Sequence, residues 1–412
     1  MILGLLPRKR GYTMNKHNHW VQKRHGRMRS LLGFLLAPYL RWKYNITVEP
    51  FLRQRGRQYL ILFNHQTAMD PFFVSMAFKG PIYFMAPEDY FSGSVLSRLM
   101  QFCCGPIPIS PESPDPKAVR ACLQVAREGG TIGIAPEGES SFMGKTTGMN
   151  PTIAPLAKKL GLPVVLMKIE GGYGSKPRWS DCVRRGSMRA YVAEVIEPEE
   201  LEKMTDGELM SKIRSTLWVN STKIGGEFKS DHAAEYLERV MYVCPHCGLS
   251  SFHSEGSVVR CTNCNLQIEY LPNKQLQGVG FHFPFRFLAD WYNYQNLYVS
   301  RLQLSSFDDL PIYMDQAQLY QVIPGKEKKL MERFSTIELY KDRLEINGIP
   351  FPLLEIQGAW VVGSNKLNLR YDDTLYQLRG DKRFNAVKYV NFVYRSRNIR
   401  DKIYADDQYL GV

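Results

Sequence analysis

Short apolar runs alternate with helix-like segments between Tyr44 and about Lys223, and this alternation strongly limits the folds open to the chain. Strands that are buried on both faces appear as continuous apolar runs, and helices connect them when the strands are parallel. The sequence therefore predicts an α/β domain with a mostly parallel sheet flanked by helices. The predicted strands are Tyr59–Phe63, Ile82–Met85, Pro106–Ile109, Thr131–Ala135, Val164–Ile169 and Met188–Ile196. The predicted helices are Pro71–Phe78, Ser94–Phe102, Lys117–Arg127, Pro151–Leu160 and Thr205–Lys223.

A polar turn follows the first of these apolar runs. Asn64 ends the run, and His65 and Asp70 come before Pro71. Histidine is the side chain best suited to take a proton from a hydroxyl near neutral pH, and a carboxylate can fix its tautomer. Such a pair needs His65 in the turn and Asp70 at the helix start, and Pro71 makes Asp70 a candidate N-cap. The spacing by itself favours a plainer interpretation, in which His65 ends a strand and Asp70 only caps a helix.

A second turn changes the balance between these interpretations. The apolar run that begins at Thr131 leads into Pro136-Glu137-Gly138. A glycine-containing turn at the end of a buried strand suits the approach of a ligand. The pattern Asn-His, four residues, Asp, followed later by Pro-Glu-Gly, resembles the glycerolipid acyltransferases of the 1-acylglycerol-3-phosphate type.

The resemblance covers about Tyr44 to Lys223 and implies a reaction. His65 would be the general base that deprotonates an acceptor hydroxyl, and Asp70 would orient it. The oxygen would attack the thioester carbonyl of acyl-CoA or acyl-carrier-protein, giving an ester and a free thiol. The implied acceptor is 1-acylglycerol-3-phosphate or a related lysolipid, used in phospholipid biosynthesis. The implied substrate-binding residues are Asn64, Glu137, Gly138 and Ser140.

The family pattern is incomplete at two arginine positions. After its Pro-Glu-Gly the family continues Thr-Arg-Ser, whereas this chain has Glu139-Ser140-Ser141. The arginine expected after Gly105–Ile109 is also missing from Ser110-Pro111. Loss of a guanidinium removes a strong phosphate contact, so the acceptor either lacks a phosphomonoester or pairs with a cation from another loop. The candidates for that cation are Lys145, Arg178, Arg184 and Arg185, although such residues more often lie on a solvated face.

Two Cys-x-x-Cys pairs predict a zinc ribbon within residues 231–275. A predicted helix around Asp231–Met241 begins this region and leads to the cysteines. The pairs are Cys244 with Cys247 and Cys261 with Cys264. Four thiolates at this spacing can close tetrahedrally on one ion and leave no position for water. The sequence therefore predicts a structural zinc. The other cysteines show no disulfide-type spacing and are interpreted as ordinary small residues.

The remaining C-terminal sequence predicts two further regions. An aromatic-rich helix over Phe281–Gln303 would connect the ribbon to the C-terminal part within residues 276–315. Residues 316–412 would form a β-rich domain that resembles a pleckstrin-homology or GRAM-type barrel. The strand-like runs are Ser335–Tyr340, Arg343–Ile346, Pro350–Ile356, Trp360–Val362, Leu367–Tyr371 and Leu375–Leu378, and the closing helix is Phe384–Arg395.

The N-terminal residues 1–43 combine a basic segment, Arg8–Arg29, with an apolar run, Leu31–Leu40. The run is too short to span a bilayer, but basic flanks and Trp42 suit a helix seated at an anionic membrane surface. Packing on the 44–230 acyltransferase domain explains the run equally well. No apolar stretch is long enough to span a membrane and no signal-peptide order is found, so we expect a cytoplasmic protein, peripheral on the inner face of the membrane.

The net charge of +13 indicates an anionic partner, which could be a lipid headgroup, a phosphorylated substrate or nucleic acid. Nucleic acid is disfavoured because the basic residues are dispersed and the ribbon is not strongly basic. The main alternative to an enzyme is a lipid-binding adaptor whose acyltransferase-like domain is degenerate, and the missing arginines support it.

Overall fold

The computed structural model of the protein describes residues 19–52, 56–87, 95–109, 115–146, 148–323, 328–403 and 409–412. The part of the predicted basic segment that precedes His19 lies outside these residues. The same is true of Ser94, at the predicted start of a helix, and of Ser110-Pro111.

A seven-stranded mixed sheet forms the centre of the first part of the chain. Its strands are β1 (Ile46–Val48), β2 (Leu60–Phe63), β3 (Ile82–Pro87), β4 (Ile107–Ile109), β5 (Thr131–Ile134), β6 (Val164–Glu170) and β7 (Met188–Ile196). The strand order is β1-β7-β6-β2-β5-β3-β4, and each neighbouring pair is parallel except β6 with β7. The predicted mostly parallel sheet is confirmed. Every residue of β2 and β5 is buried, which explains their unbroken apolar sequence.

Helices cover both faces of this sheet. They are α1 (Lys23–Tyr44), α2 (Asp70–Ala77), α3 (Val95–Cys104), α4 (Pro116–Arg127), α5 (Ile153–Leu160), α6 (Gly172–Ser175), α7 (Pro198–Lys203) and α8 (Asp206–Leu217). Leu60 and Leu62 of β2 pack with α4, α5 and α8 on one face. Ile61 and Phe63 point the other way and pack with α1 and α2. The alternation of side chains along β2 therefore divides the domain into two cores.

The cysteine-containing segment folds as two small sheets. Its strands are β8 (Val243–Cys244), β9 (Gly248–Leu249), β10 (Phe252–Glu255), β11 (Val258–Cys261), β12 (Gln267–Tyr270) and β13 (Leu276–Gly278). The strands β8 and β9 form a hairpin, and β10 to β13 form an antiparallel sheet in chain order. The helix α9 (Leu288–Arg301) follows and packs on this segment through Trp291, whose indole N–H donates to Val243 O at 3.0 Å.

A second seven-stranded sheet, wholly antiparallel, forms the C-terminal part. Its strands are β14 (Tyr313–Val322), β15 (Lys329–Leu339), β16 (Arg343–Ile346), β17 (Ile349–Pro352), β18 (Gly358–Val362), β19 (Lys366–Tyr371) and β20 (Thr374–Arg379). Their order is β17-β16-β15-β14-β20-β19-β18, and α10 (Ala386–Arg400) packs on the sheet. The predicted β-rich domain with a closing helix is confirmed. The strand β14 was not predicted, because its mixed polar and apolar sequence gives no clear alternation.

Three predicted helices are wrong in extent. The helix expected over Thr205–Lys223 ends at Leu217, because Trp218 takes an extended conformation. The helix expected around Asp231–Met241 is reduced to a 3-10 turn, Leu237–Arg239. The apolar positions there have helical spacing, but Tyr236 takes a left-handed φ of 74° and its N–H donates to Ser254 Oγ at 2.7 Å, so contacts with the ribbon replace a helical turn. The connector helix begins at Leu288 rather than Phe281. The residues before it include Pro284, which lacks the N–H that a helix interior needs.

Two arginines join the first sheet domain to the C-terminal parts. Arg239 is almost fully buried and bonds both carboxylate oxygens of Asp181 at 2.8 Å. It also donates to Trp179 O at 3.1 Å and Lys382 O at 2.6 Å. Arg178 donates to Val361 O at 2.7 Å and Gly363 O at 2.8 Å in the C-terminal sheet. These contacts fix the two sheets as opposite walls of one cleft.

Candidate active site and metal centre

The turn between β2 and α2 brings His65 and Asp70 into contact. His65 Nδ1 lies 2.9 Å from Asp70 Oδ2, and the His65 side chain is 19% exposed while that of Asp70 is fully buried. The helix begins at Asp70 and its N-cap is Met69, so the predicted N-cap is displaced by one residue. The side chain of Asp70 turns back to the preceding turn, which explains why it does not cap its own helix.

The buried carboxylate of Asp70 organises the whole turn. Its Oδ2 accepts the backbone N–H of Gln66 at 2.6 Å and of Thr67 at 2.9 Å, in addition to the contact with His65. Its Oδ1 accepts the Thr67 hydroxyl at 2.8 Å. A buried carboxylate is strongly unfavourable without donors, and these donors come from the five residues before it. The short sequence from His65 to Asp70 thus builds its own anion site and sets the ring of His65 against it.

Asn64 joins the end of β2 to β6 instead of facing the cleft. It is fully buried, its side-chain amide donates to Ile169 O at 2.8 Å, and its Oδ1 accepts the Ile169 N–H at 2.6 Å. One backbone residue therefore engages both polar atoms of the side chain. Asn64 therefore fixes the end of the strand from which His65 extends.

Glu137 lies beside His65 on its main-chain side. Its Oε1 accepts the His65 N–H at 2.9 Å, and its side chain lines the cleft. Burial raises the pKa of Glu137 from its ordinary 4.5 to about 7, although the His65 N–H partly opposes this shift by favouring the carboxylate. The two turns predicted to face substrate are therefore joined by a direct hydrogen bond.

Gly138 and Ser140 continue the second turn. Gly138 has a φ of +76°, a conformation that favours glycine, and its N–H donates to Ala135 O at 3.0 Å. The carbonyl of Ser140 accepts from Arg178 at 3.0 Å, and Glu139 forms an ion pair with the same guanidinium. Arg178 thus spans from this turn to Val361 on the opposite wall, and its donors are used by protein groups.

The other candidate phosphate cations lie in different environments. Arg184 is fully buried between the rings of Trp179 and Tyr270 and donates to Ala233 O, so it has a structural position. Arg185 is exposed and its guanidinium lies 5.8 Å from the Trp42 ring centre. Lys145 is exposed and lines the cleft near the Glu137 turn.

A cleft of about 3000 Å³ contains the His65 site. One sector is apolar and is formed by side chains of α1, α2 and β3, including Leu36, Phe72 and Phe84. Another sector is formed by β18, β19 and β20 of the C-terminal sheet. The reacting centre would therefore lie between an apolar compartment and a second domain.

The four cysteines predicted as metal ligands come together at the ends of the ribbon strands. The sulfurs of Cys244, Cys247, Cys261 and Cys264 all lie within 4.8 Å of one another. The Sγ atoms of Cys244 and Cys264 are 3.7 Å apart, and those of Cys247 and Cys261 are 3.6 Å apart. This group could hold a metal ion.

Three contacts at the site were missed by the sequence reasoning. Thr67 completes the donor set of Asp70, Arg178 joins the two walls, and Trp360 of β18 lines the cleft opposite the active-site turns. A hydroxyl residue three positions before an aspartate is a recognisable turn signal, so Thr67 could have been found. The sequence around Arg178 or Trp360 does not indicate what these residues face in the cleft. The residues across the cleft lie far away along the chain.

Comparison with known proteins supports the resemblance for part of the chain. Residues 45–170 match the family model described as Acyltransferase. No curated protein sequence matches the chain. The crystal structure of the 1-acyl-sn-glycerophosphate (LPA) acyltransferase PlsC from Thermotoga maritima is similar at 19% identity, over 46% of this chain and 76% of that one, with a TM-score of 0.40. The family match covers the part of the chain that holds β1 to β6 and the turns of His65 and Glu137.

The raised pKa of Glu137 predicts a pH-dependent stability. Between about pH 4.5 and 7 the folded state keeps a proton that the unfolded state has lost, so the wild type loses stability as pH rises through this window. Relative to Glu137→Gln, which keeps an acceptor for the His65 N–H, the wild type should lose on the order of 1–3 kcal/mol. Urea unfolding of both proteins at pH 5, 6, 7 and 8 measures this difference. A difference that stays constant with pH would contradict the assignment.

Proposed function

We propose that the protein transfers a fatty acyl group from an acyl-CoA or acyl-carrier-protein thioester to the hydroxyl of a lysophospholipid such as 1-acylglycerol-3-phosphate. The observation that carries this proposal is the 2.9 Å contact between His65 Nδ1 and Asp70 Oδ2 at the edge of a cleft, within a segment that matches the Acyltransferase family.

His65 would act as the general base. With Nδ1 donating to Asp70, the neutral ring keeps Nε2 free of a proton, and this atom can accept the proton of the acceptor hydroxyl. The four donors around Asp70 hold its carboxylate against Nδ1 of His65, where it would stabilise the imidazolium that forms. The acceptor oxygen then forms the new ester bond as the carbon–sulfur bond breaks, and the thiolate takes the proton from His65. The thioester is already activated, so alignment and proton transfer are the main demands on the protein.

The apolar sector of the cleft suits the acyl chain of the donor. Leu36 of α1, Phe72 of α2 and Phe84 of β3 lie along this sector, and His65 lies in the same cleft. Burial of methylene groups contributes about 0.8 kcal/mol each, so a fatty acyl chain gains considerable affinity there. Glu137 and Gly138 would form the second substrate-facing turn, with Asn64 holding His65 from within the sheet.

Removal of the base should strongly reduce the rate of transfer. We expect His65→Ala to lower kcat about 10³-fold, because general base catalysis contributes 10²–10⁴-fold. Transfer of a radiolabelled acyl group to a panel of lysolipids measures the loss. His253→Ala, at an exposed histidine of the ribbon, is the matched control and should retain activity. Retained turnover in His65→Ala would refute the assigned base, and an inactive wild type would favour the adaptor alternative.

We further propose that the four ribbon cysteines hold a structural zinc ion. A tetrahedral zinc with sulfur ligands at about 2.3 Å places neighbouring sulfurs about 3.8 Å apart. The observed separations of 3.7 and 3.6 Å are close to that value. Four sulfur ligands leave no open position, so the ion would stabilise the ribbon rather than take part in the reaction.

The zinc proposal predicts one metal ion per chain and a ribbon that depends on it. Cys261→Ser should reduce the zinc content of the purified protein from about one equivalent to below 0.1, because structural sites need all four ligands. Metal analysis measures the content, and hydrogen exchange of residues 243–270 measures the loss of ribbon structure. Cys104→Ser, which alters a cysteine outside the group, should keep its zinc. A folded wild-type protein without zinc would contradict the proposal.

We propose that the protein acts peripherally on an anionic membrane, at the inner, cytoplasmic face, through α1. Leu40 and Tyr44 on one side of this helix pack on the domain, whereas Phe34 and Trp42 are 80% and 67% exposed. Exposed arginines, including Arg27 and Arg41, lie on the same helix. Among the described residues no helix is both long and apolar enough to cross a membrane. An apolar strip with nearby cations is what interfacial binding requires.

Polar replacement of this strip should weaken membrane binding. Phe34→Gln combined with Trp42→Gln should reduce binding to vesicles of mixed phosphatidylglycerol and phosphatidylcholine at least about tenfold, because each buried aromatic side chain contributes about 1.5–3 kcal/mol. Vesicle flotation of the full chain measures the effect. Leu310→Gln is a control at a residue that is 73% exposed in the C-terminal half. Unchanged binding of the double variant would show that α1 is not the membrane contact.

A further inference from the structure

One face of the C-terminal sheet forms the cleft wall opposite the active-site turns. Directly paired residues in neighbouring antiparallel strands point to the same face. The register pairs Trp360 with Asn368 and Val362 with Lys366 between β18 and β19. It pairs Lys366 with Arg379, Asn368 with Gln377 and Arg370 with Leu375 between β19 and β20. These side chains therefore share one face, and most of them line the cleft.

Four basic residues dominate this wall, and we call them the basic face. They are Lys328, Lys366, Arg370 and Arg379, and all four line the cleft that contains His65. Around the whole cleft the described lining residues include twelve lysines and arginines but five aspartates and glutamates, so the cavity attracts anions.

Buried amides support the basic face from below. Gln377 and Asn368 are fully buried, and Gln377 Nε2 donates to Asn368 Oδ1 at 2.8 Å. The oxygen of Gln377 accepts from Arg379 Nε at 2.7 Å and from Lys328 Nζ at 3.2 Å. The Arg379 guanidinium also lies 4.3 Å from the ring centre of Tyr320. The side chains of Arg379 and Lys328 are thus held at fixed positions by a buried amide. This arrangement is typical of a binding site rather than of a solvated surface.

The basic face lies close to the second active-site turn. One guanidinium, that of Arg178, bonds both Ser140 O in that turn and Val361 O in β18. The residue after Val361 is paired with Lys366, about 5 Å away across the strands. The Glu137 turn and the basic face are therefore linked through Arg178 and line the same cleft.

The active-site turn itself offers little to a phosphate. At the position of the family's arginine this turn has Ser140, and Glu139 precedes it. The guanidinium of Arg178 is occupied by Glu139 and three backbone carbonyls. A phosphate placed there would meet the carboxylates of Glu137 and Glu139. The basic face supplies the positive charge that this turn lacks.

We propose that the basic face binds the headgroup phosphate of the acceptor lysophospholipid while His65 faces its hydroxyl. This inference rests on the proposed acyltransferase function and assigns the binding of the acceptor phosphate to the C-terminal sheet. The C-terminal domain then supplies the phosphate contact that the acyltransferase domain of this chain has lost. A free phosphate ion offers the same chemistry, and the experiment separates the two sources.

The test measures binding first and turnover second. Calorimetric titration of the full chain with hexanoyl lysophosphatidate, which stays monomeric in water, compares the wild type with Lys366→Gln/Arg379→Gln. The exposed Lys366→Gln alone is a second variant that leaves the Gln377 contacts of Arg379 intact. Arg333→Gln is the control, because Arg333 is exposed on β15 and does not line the cleft. The thermal unfolding of each variant verifies its fold.

We expect at least tenfold weaker binding for the double variant, a smaller loss for Lys366→Gln and no change for Arg333→Gln. Inorganic phosphate should bind the wild type more weakly than the lipid, and His65→Ala should bind the lipid normally. Unchanged lipid binding in the double variant would overturn the proposal. The proposal would also be overturned if inorganic phosphate bound as tightly as the lipid. The same holds if the double variant bound hexanoyl lysophosphatidate normally and lost only its binding to phosphatidic acid vesicles.

Turnover separates this inference from the function on which it rests. In the double variant, KM for lysophosphatidate should be at least tenfold higher than in the wild type, whereas Arg333→Gln should keep the wild-type KM. Transfer activity with an unchanged KM would refute the phosphate site and leave the acyltransferase function. Loss of lipid binding in the double variant, together with a wild type that transfers no acyl group, would support the site and refute the function.

Discussion

The buried carboxylate of Asp70 is the contact on which the candidate site depends. Two backbone N–H groups, a hydroxyl and the ring of His65 surround it, and all of them come from residues 65–67. A charge in this position is stable only while the turn keeps its shape, so the turn and the charge require each other. The parallel sheet supplies the residues that hold this turn in place. Asn64 fixes the end of β2 to β6, and Glu137 at the end of the adjacent β5 holds the main chain of His65.

Charge is distributed unevenly around the cleft. The turn nearest to His65 has two carboxyl groups, one of them with a raised pKa, whereas the C-terminal sheet contributes a cluster of cations. Arg178 connects these opposite sectors and neutralises Glu139. Under the two proposals, the catalytic chemistry would belong to the first domain and the selection of an anionic acceptor to the last, so neither domain alone would have the proposed specificity.

The features predicted from sequence are those encoded by neighbouring residues. The alternation from Tyr59 to Ile196 predicted the parallel sheet, and the two Cys-x-x-Cys pairs predicted the cluster of four sulfurs. The His65–Asp70 contact was predicted from the family resemblance, because the local spacing by itself favoured a plainer interpretation. Contacts between distant parts of the chain were not predictable. The expected helix at Asp231–Met241 had helical spacing but gave way to the contact of Tyr236 with Ser254, and no local pattern links Arg178 to Val361.

The central claim is that the protein transfers an acyl group from a thioester to a lipid hydroxyl, and the stoichiometry of thiol release tests it most directly. A thiol-reactive dye follows free thiol from acyl-CoA in the wild-type protein, while chromatography counts new ester in the same sample. The account predicts that thiol release requires a lysophospholipid acceptor and matches ester formation one to one. Thiol release without an acceptor, which would indicate hydrolysis, or no release with any acceptor would contradict the account.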